Sequence, residues 1–170
     1  MVTLVSTEFM DMIETIAGWA IAFLVVYGVV YAIGIRKDTL KDTCMQLDIL
    51  CKKLVELAGK VNGNINDPTN KTSNEELIKS FRQASKKVVS LKKQLDVYLY
   101  DHGENTEVSA AIADLVKGNV AIRSAAISFA EEQLSLTSDR LLSAETKLQS
   151  AIKMLDKTVK KIESEKLVRI

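Results

Sequence analysis

The chain has 170 residues, with 23 lysines and arginines against 22 aspartates and glutamates, a formal net charge of +1. That balance excludes a protein that works chiefly by gripping nucleic-acid phosphates, which needs a strongly basic surface. One proline, seven glycines and two cysteines exclude collagen-like, low-complexity and disulfide-framework chains, and leave a helical protein with a modest core.

The first predicted element is apolar. From Ile16 to Ile35 the chain reads IAGWAIAFLVVYGVVYAIGI without a charged residue, and every lysine and arginine follows it. About 20 residues at 1.5 Å rise match a hydrocarbon core about 30 Å thick, and a helix is the form in which one isolated segment pairs its backbone groups in lipid. Trp19 and Tyr31 suit the two headgroup regions as interfacial anchors, and Arg36 and Lys37 close the segment. The preceding residues carry Glu8, Asp11 and Glu14 and nothing basic, whereas Lys41, Lys52 and Lys53 follow. The positive-inside rule then puts the N-terminus outside and the rest in the cytoplasm. The expected organisation is a short extracytoplasmic N-terminus over 1–12, a transmembrane helix over 13–36 and a cytoplasmic helical bundle over 37–170. A cleaved signal peptide would need a basic leading region, and a helix buried in a soluble core would need broad apolar faces around it. The chain offers neither. Gly18 with Ala22, and Gly28 with Ala32, form two small-xxx-small pairs that would allow close helix association in lipid. Glu14 reads as a solvated carboxylate at the boundary.

The next helix, predicted over about 37–64, continues the span. Leu40, Leu47, Leu54 and Val61 recur every seven residues, and Cys44, Cys51, Ala58 and Ile65 fill the alternate position. With no proline, and no glycine between Gly34 and Gly59, anchor and first bundle helix are expected to form one rod of about 45 to 50 residues, roughly 70 Å long. Gly63, Asn64, Asn66, Asp67 and Pro68 supply turn chemistry, so a loop is predicted over Asn62 to Thr72. The two cysteines read as small buried apolar residues. With His102 the sole histidine and no CxxC, neither a metal nor a redox site is expected.

The second helix is predicted over 73–100. Ser73 and Glu76 form a capping box, and the seam reads Leu77, Phe81, Ala84, Val88, Leu91, Leu95 and Tyr98. Asp101 to Asn105 make a polar turn with Gly103 suited to the position just past the helix. A third helix, 106–134, opens at Asn105 or Thr106 with a seam of Val108, Ile112, Leu115, Val116, Val120 and Ile127. A fourth, 138–168, carries Leu141, Leu148, Leu155 and Ile162 with Ile152 and Val159 between them. No proline interrupts 106–168, so one helix of about 60 residues, roughly 90 Å, is the alternative. A break at Ser135 to Asp139, where Leu-Thr-Ser-Asp offers an N-cap, is favoured because similar segments then close into a bundle. The predicted fold class is thus all-α: a single N-terminal transmembrane helix running into a three- or four-helix antiparallel bundle or coiled coil.

The C-terminal stretch is basic. Lys147, Lys153, Lys157, Lys160, Lys161, Lys166 and Arg169 outnumber Glu145, Asp156, Glu163 and Glu165, and Lys153, Lys157, Lys160 and Lys161 fall largely opposite Leu155 and Ile162. That face could meet an anionic membrane or an acidic partner; it also reads as a solvated face near a helix C-terminus. No aromatic side chain is interleaved for base stacking. Gly-rich phosphate loops, GxSxG, HExxH and Cys/His nucleophile pairs are missing from the sequence, and its carboxylates are scattered over polar helix faces. No enzyme activity, cofactor or small-molecule substrate is therefore expected. Asn70-Lys71-Thr72 is a glycosylation sequon that would count only if the topology were reversed.

Gln46-Leu47-Asp48-Ile49-Leu50-Cys51-Lys52-Lys53 resembles the stretch after the N-terminal anchor of LemA-type membrane proteins, with Val55-Glu56-Leu57 standing where that family has Ile-Pro-Asn. The resemblance covers under ten residues and implies a membrane-anchored helical bundle without supplying an activity. The function expected from the whole sequence is a non-enzymatic scaffold, tether or oligomeric accessory subunit. Its partners would be membrane lipid and a protein partner or a second copy, through any uncovered heptad seam. The alternative is a membrane-active protein, a helical pore former or phage-type lysis factor, for which the apolar segment is the working part.

Overall fold

The structure is a computed structural model that describes residues 2–66 and 73–167, with side chains over 21–29, 34, 37–63 and 73–164. Its order is α1 (Val2–Asn66), α2 (Asn74–His102), α3 (Thr106–Ala130) and α4 (Leu134–Leu167), with no strand among the described residues. The chain divides into two compact units, Met1–Asp38 and Thr39–Ile170. The first consists of the leading part of α1, whose helix is already formed at Val2. The second is the bundle.

Within the bundle the helices run alternately up and down. Lys41 sits 3.1 Å from Glu163, and the Cys44 and Cys51 thiols meet the Ile152 and Glu145 carbonyls, so α1 and α4 are antiparallel. Lys60 faces Glu76 at 3.9 Å while Lys87 donates to Gln46, which makes α1 and α2 antiparallel. Ser85 donates to Asn119 at 2.8 Å and Phe81 tilts against Phe129 at 5.6 Å, joining α2 to α3 in the same sense. Lys157 reaches Glu107 at 3.2 Å and Arg140 donates to the Ser124 carbonyl at 2.8 Å, which closes α3 on α4.

The seams of α1 and α2 follow from seven-residue spacing, since seven residues are close to two helical turns. Leu40, Leu47, Leu54 and Val61 are fully covered, with Cys51 and Ala58 buried beside them and Cys44 half-buried; the Ile65 side chain lies outside the described residues. All seven seam residues predicted on α2, Leu77 to Tyr98, are buried. At its start, the Glu76 amide donates to Ser73 Oγ at 3.2 Å, while the Glu76 carboxylate is drawn toward Lys60. At its end α2 runs two residues beyond the predicted stop, to His102, before Gly103 takes φ 82° and returns its N–H to the Leu99 carbonyl. Asn105 then caps α3 by accepting from the Val108 amide at 2.9 Å.

Two expectations for α3 and α4 are corrected. The break falls at Glu131 to Gln133 instead of Ser135 to Asp139. Gln133 donates to the Ser128 carbonyl and Glu132 to that of Phe129, the paired bonds of a Schellman ending, with Glu132 in the left-handed region at φ 59°. Thr137 and Ser138 are buried inside α4, and Thr137 Oγ1 bonds back to the Gln133 carbonyl, so neither caps the helix. The predicted α3 seam mixes two faces. Val108 and Leu115 are buried and Ile112 half-buried, but Val116, Val120 and Ile127 are exposed. The buried set is Val108, Ala111, Leu115, Gly118, Ile122, Ala125 and Phe129, joined by Ser128. Every second member of that heptad is small. On α4, Leu141, Leu148 and Leu155 alternate in the same way with Ala144, Ala151 and Thr158, all buried. Small residues let two backbones approach, and a Cβ added at Gly118 would stand 2.9 Å from Leu148 Cδ2. Large side chains of one helix thus lie over small ones of the other.

Candidate association surfaces

Chemistry first limits what the bundle offers. Among the described residues no group of three His, Cys, Asp or Glu side chains could hold a metal ion, and no buried side-chain nitrogen or oxygen lacks a partner. Burial pushes the Cys44 thiol up to about 11, the Asp156 carboxylate adding to it, and the Cys51 thiol up to about 12, with Glu145 and Asp48 contributing. Both are thiols rather than thiolates near neutral pH, hence poor nucleophiles and poor ligands. His102 ends α2 with its ring edge-on to Tyr98 at 4.7 Å. Arg140 braces the end of α3, donating to the Ser124 carbonyl and to Ser128 Oγ, where a cation favours the helix dipole.

Surfaces for association are better developed. In the unit preceding Thr39, residues 21–29 are all exposed, the large apolar ones from Val29 at 48% to Phe23 at 75%. Ala22 and Gly28 are among them, and a Cβ at Gly28 would meet nothing within 4 Å. Lys37 is half-buried. The side chains of Glu14, Gly18, Trp19, Tyr31, Ala32 and Arg36 lie outside the described residues, as does the Asn70-Lys71-Thr72 sequon. No helix is long and apolar enough among the described residues to cross a membrane. The uncharged run itself continues on both sides of 21–29, into residues whose side chains are not described.

Two of the four lysines of the predicted basic face are paired within the bundle. Lys157 is paired with Glu107 of α3, and Lys160 with Asp156 at 2.6 Å, both lysines remaining solvent-facing. Lys153 and Lys161 are exposed. A hydrogen bond from its own backbone, and after it the Lys157 ammonium, hold the Glu107 carboxyl below its usual range. Such surface pairs add little stability, but they reduce the charge left for an anionic partner.

Three surfaces were not read from the sequence. A groove of about 520 Å³ lies between α1 and α2, floored by Leu50, Leu54, Leu57 and Ala84 and rimmed by Lys53, Lys60 and Lys87. An outward stripe on α3 carries Val116, Val120 and Ile127. The last turns of α2 present Val97 at 58% exposure and Tyr100 at 91%. For the α3 stripe the signal was in the sequence, since its three residues stand in the predicted seam; which of two apolar faces is covered depends on where α2 and α4 lie. Tyr100 sits just outside the α2 seam, so only its position at the bundle end sets it apart. The chain matches no known protein family, no curated protein and no solved structure, and the short likeness to LemA-type proteins therefore remains a local sequence pattern.

Proposed function

We propose that the chain is a single-pass membrane protein with its N-terminus outside and its bundle in the cytoplasm, acting as a non-enzymatic scaffold, tether or oligomeric accessory subunit. The observation that carries this reading is the exposed apolar run from Ile21 to Val29 inside an uncharged stretch of twenty residues. Burying each large aliphatic or aromatic side chain there is worth about 1.5–3 kcal/mol, and exposed apolar patches of this extent mark a surface that something apolar covers. The arrangement of charge, all basic residues after the run, supports the orientation. A non-enzymatic role is supported by ionisable side chains that are spent on pairs between and along helices, such as Lys41 with Glu163 and Lys52 with Asp48.

The test is fractionation of the full chain. It is expected to stay with membranes through alkaline carbonate washing and to float with lipid, and recovery as a soluble monomer would overturn the reading. Dye release from intact vesicles, abolished by Leu24→Asp, would favour the membrane-active alternative over the tether.

A further inference from the structure

We propose that the end of the bundle at which α1 enters is itself a membrane-contact surface, with the Tyr100 ring seated at headgroup level and Val97 beside it. The inference rests on the single-pass reading. Lys87 meets Gln46 and Lys60 faces Glu76, so α2 runs past α1 in the opposite sense. Following that register forward brings Val97 to about the level of Thr39 and carries Tyr100 to the tip of the bundle, at the α2–α3 turn. The pair of Lys41 with Glu163 brings the end of α4 to the same tip.

The chain itself limits how far this tip can be from lipid. Thr39 follows Arg36 by three residues, which span at most about 11 Å fully extended. With 16–35 in the bilayer, Thr39 at the start of the bundle lies within about 11 Å of Arg36 at the end of the span. Two side chains at the tip have the chemistry for the headgroup zone. Tyr100, 91% exposed, combines an apolar ring with a hydroxyl that can stay hydrated, and Val97 lies three residues before it on the same side of α2. Tyr98, by contrast, is turned into the core.

Electrostatics points to contact led by the aromatic ring and not by anionic lipid. Three cations at this end are paired within the chain, Lys41 with Glu163, Lys157 with Glu107 and Lys160 with Asp156, and the exposed charged residues directly beside Tyr100 are the acidic Asp101 and Glu104. A bilayer of zwitterionic phosphatidylcholine should therefore be sufficient.

The experiment places a fluorophore on Tyr100→Cys in the full chain, in phosphatidylcholine vesicles carrying a headgroup-depth quencher. Leu24→Cys serves as the reference for insertion and Gln133→Cys, on the α3–α4 turn at the opposite tip, as the reference for water. Labelling is done in a Cys44→Ala/Cys51→Ala background; should that background fail to fold, the native cysteines are kept, since both thiols face helix α4 and label slowly. The expected result is several-fold stronger quenching at position 100 than at 133. Equal quenching at 100 and 133, with position 24 deeply inserted, would overturn the proposal and leave the single-pass reading standing. Loss of insertion at 24 would overturn both. Quenching at 100 that appears only when anionic lipid is added would replace the proposal with charge-led docking.

Discussion

At the level of single residues, small features at helix ends and seams carry distinct consequences. Glu132 occupies the left-handed region that a residue with a Cβ enters at a cost of about 1–2 kcal/mol. Glycine avoids that cost but loses about 0.5–1 kcal/mol more backbone freedom on folding, so Glu132→Gly is expected to stabilise the bundle by about 0.5 kcal/mol, read from the urea midpoint. Gly118 is the opposite case, with Leu148 Cδ2 2.9 Å and the Ala144 carbonyl 3.5 Å from any added Cβ. Gly118→Val should destabilise by about 1–3 kcal/mol through overpacking. Gly118→Ala should cost less, because Leu148 can shift and alanine gains about 1 kcal/mol of helix propensity. The two buried thiols give a pH dependence of definite sign. Their ordinary value is 9.0 and burial raises them to about 11 and about 12, so above pH 9 the unfolded chain releases protons that the folded chain keeps. Stability contributed by the neutral thiols is complete below pH 9 and falls as pH rises from there. Lys52, Lys60 and Lys160, also raised, start from 10.5 and add their loss only beyond that point. Between pH 9.0 and 10.5 the urea midpoint of the native chain should therefore fall, and that of Cys44→Ala/Cys51→Ala should stay nearly flat.

At the level of elements, α3 separates what periodicity shows from what packing decides. α2 has one apolar face, and its seam was legible residue by residue. α3 has two, an inner heptad through Val108, Leu115, Ile122 and Phe129 and an outer stripe through Val116, Val120 and Ile127. Hydrophobicity ranks the outer valines above Ala111, Gly118 and Ala125, yet the small residues are buried because they admit α4 at close range. Ile122→Ala should accordingly cost about 2–5 kcal/mol, a core truncation at a fully covered site. Val120→Ala, at 57% exposure, should change stability by less than about 0.5 kcal/mol. Reversal of that order in chemical denaturation would show that the outer stripe is the covered one. The α3–α4 break illustrates the same limit: no glycine or asparagine marks it, and the hydroxyls that resemble a cap at Thr137 and Ser138 are instead internal to a helix.

At the level of the whole molecule, the two compact units predict a separation of properties. The bundle from Thr39 onward holds its own core, from Leu40 in α1 to Val159 in α4. A chain lacking residues 1–38 is expected to keep helical circular dichroism and a cooperative melt while no longer floating with lipid. Loss of the melt would show that the leading part of α1 contributes to the core, and retained flotation would move lipid binding into the bundle.

The sequence by itself determined that the chain is helical, where α1 and α2 carry their seams, how Ser73, Gly103 and Asn105 end and begin helices, and that one uncharged run stands apart from all the basic residues. These follow from backbone hydrogen bonding, side-chain period and charge, which act locally. Tertiary structure alone decided which face of α3 is covered, that Lys157 is paired with Glu107, and that Tyr100 stands open at one tip of the bundle. Each of these depends on a neighbour distant in sequence: a helix that can approach only over small residues, a carboxylate on another helix, or the antiparallel register that brings two chain segments to the same end.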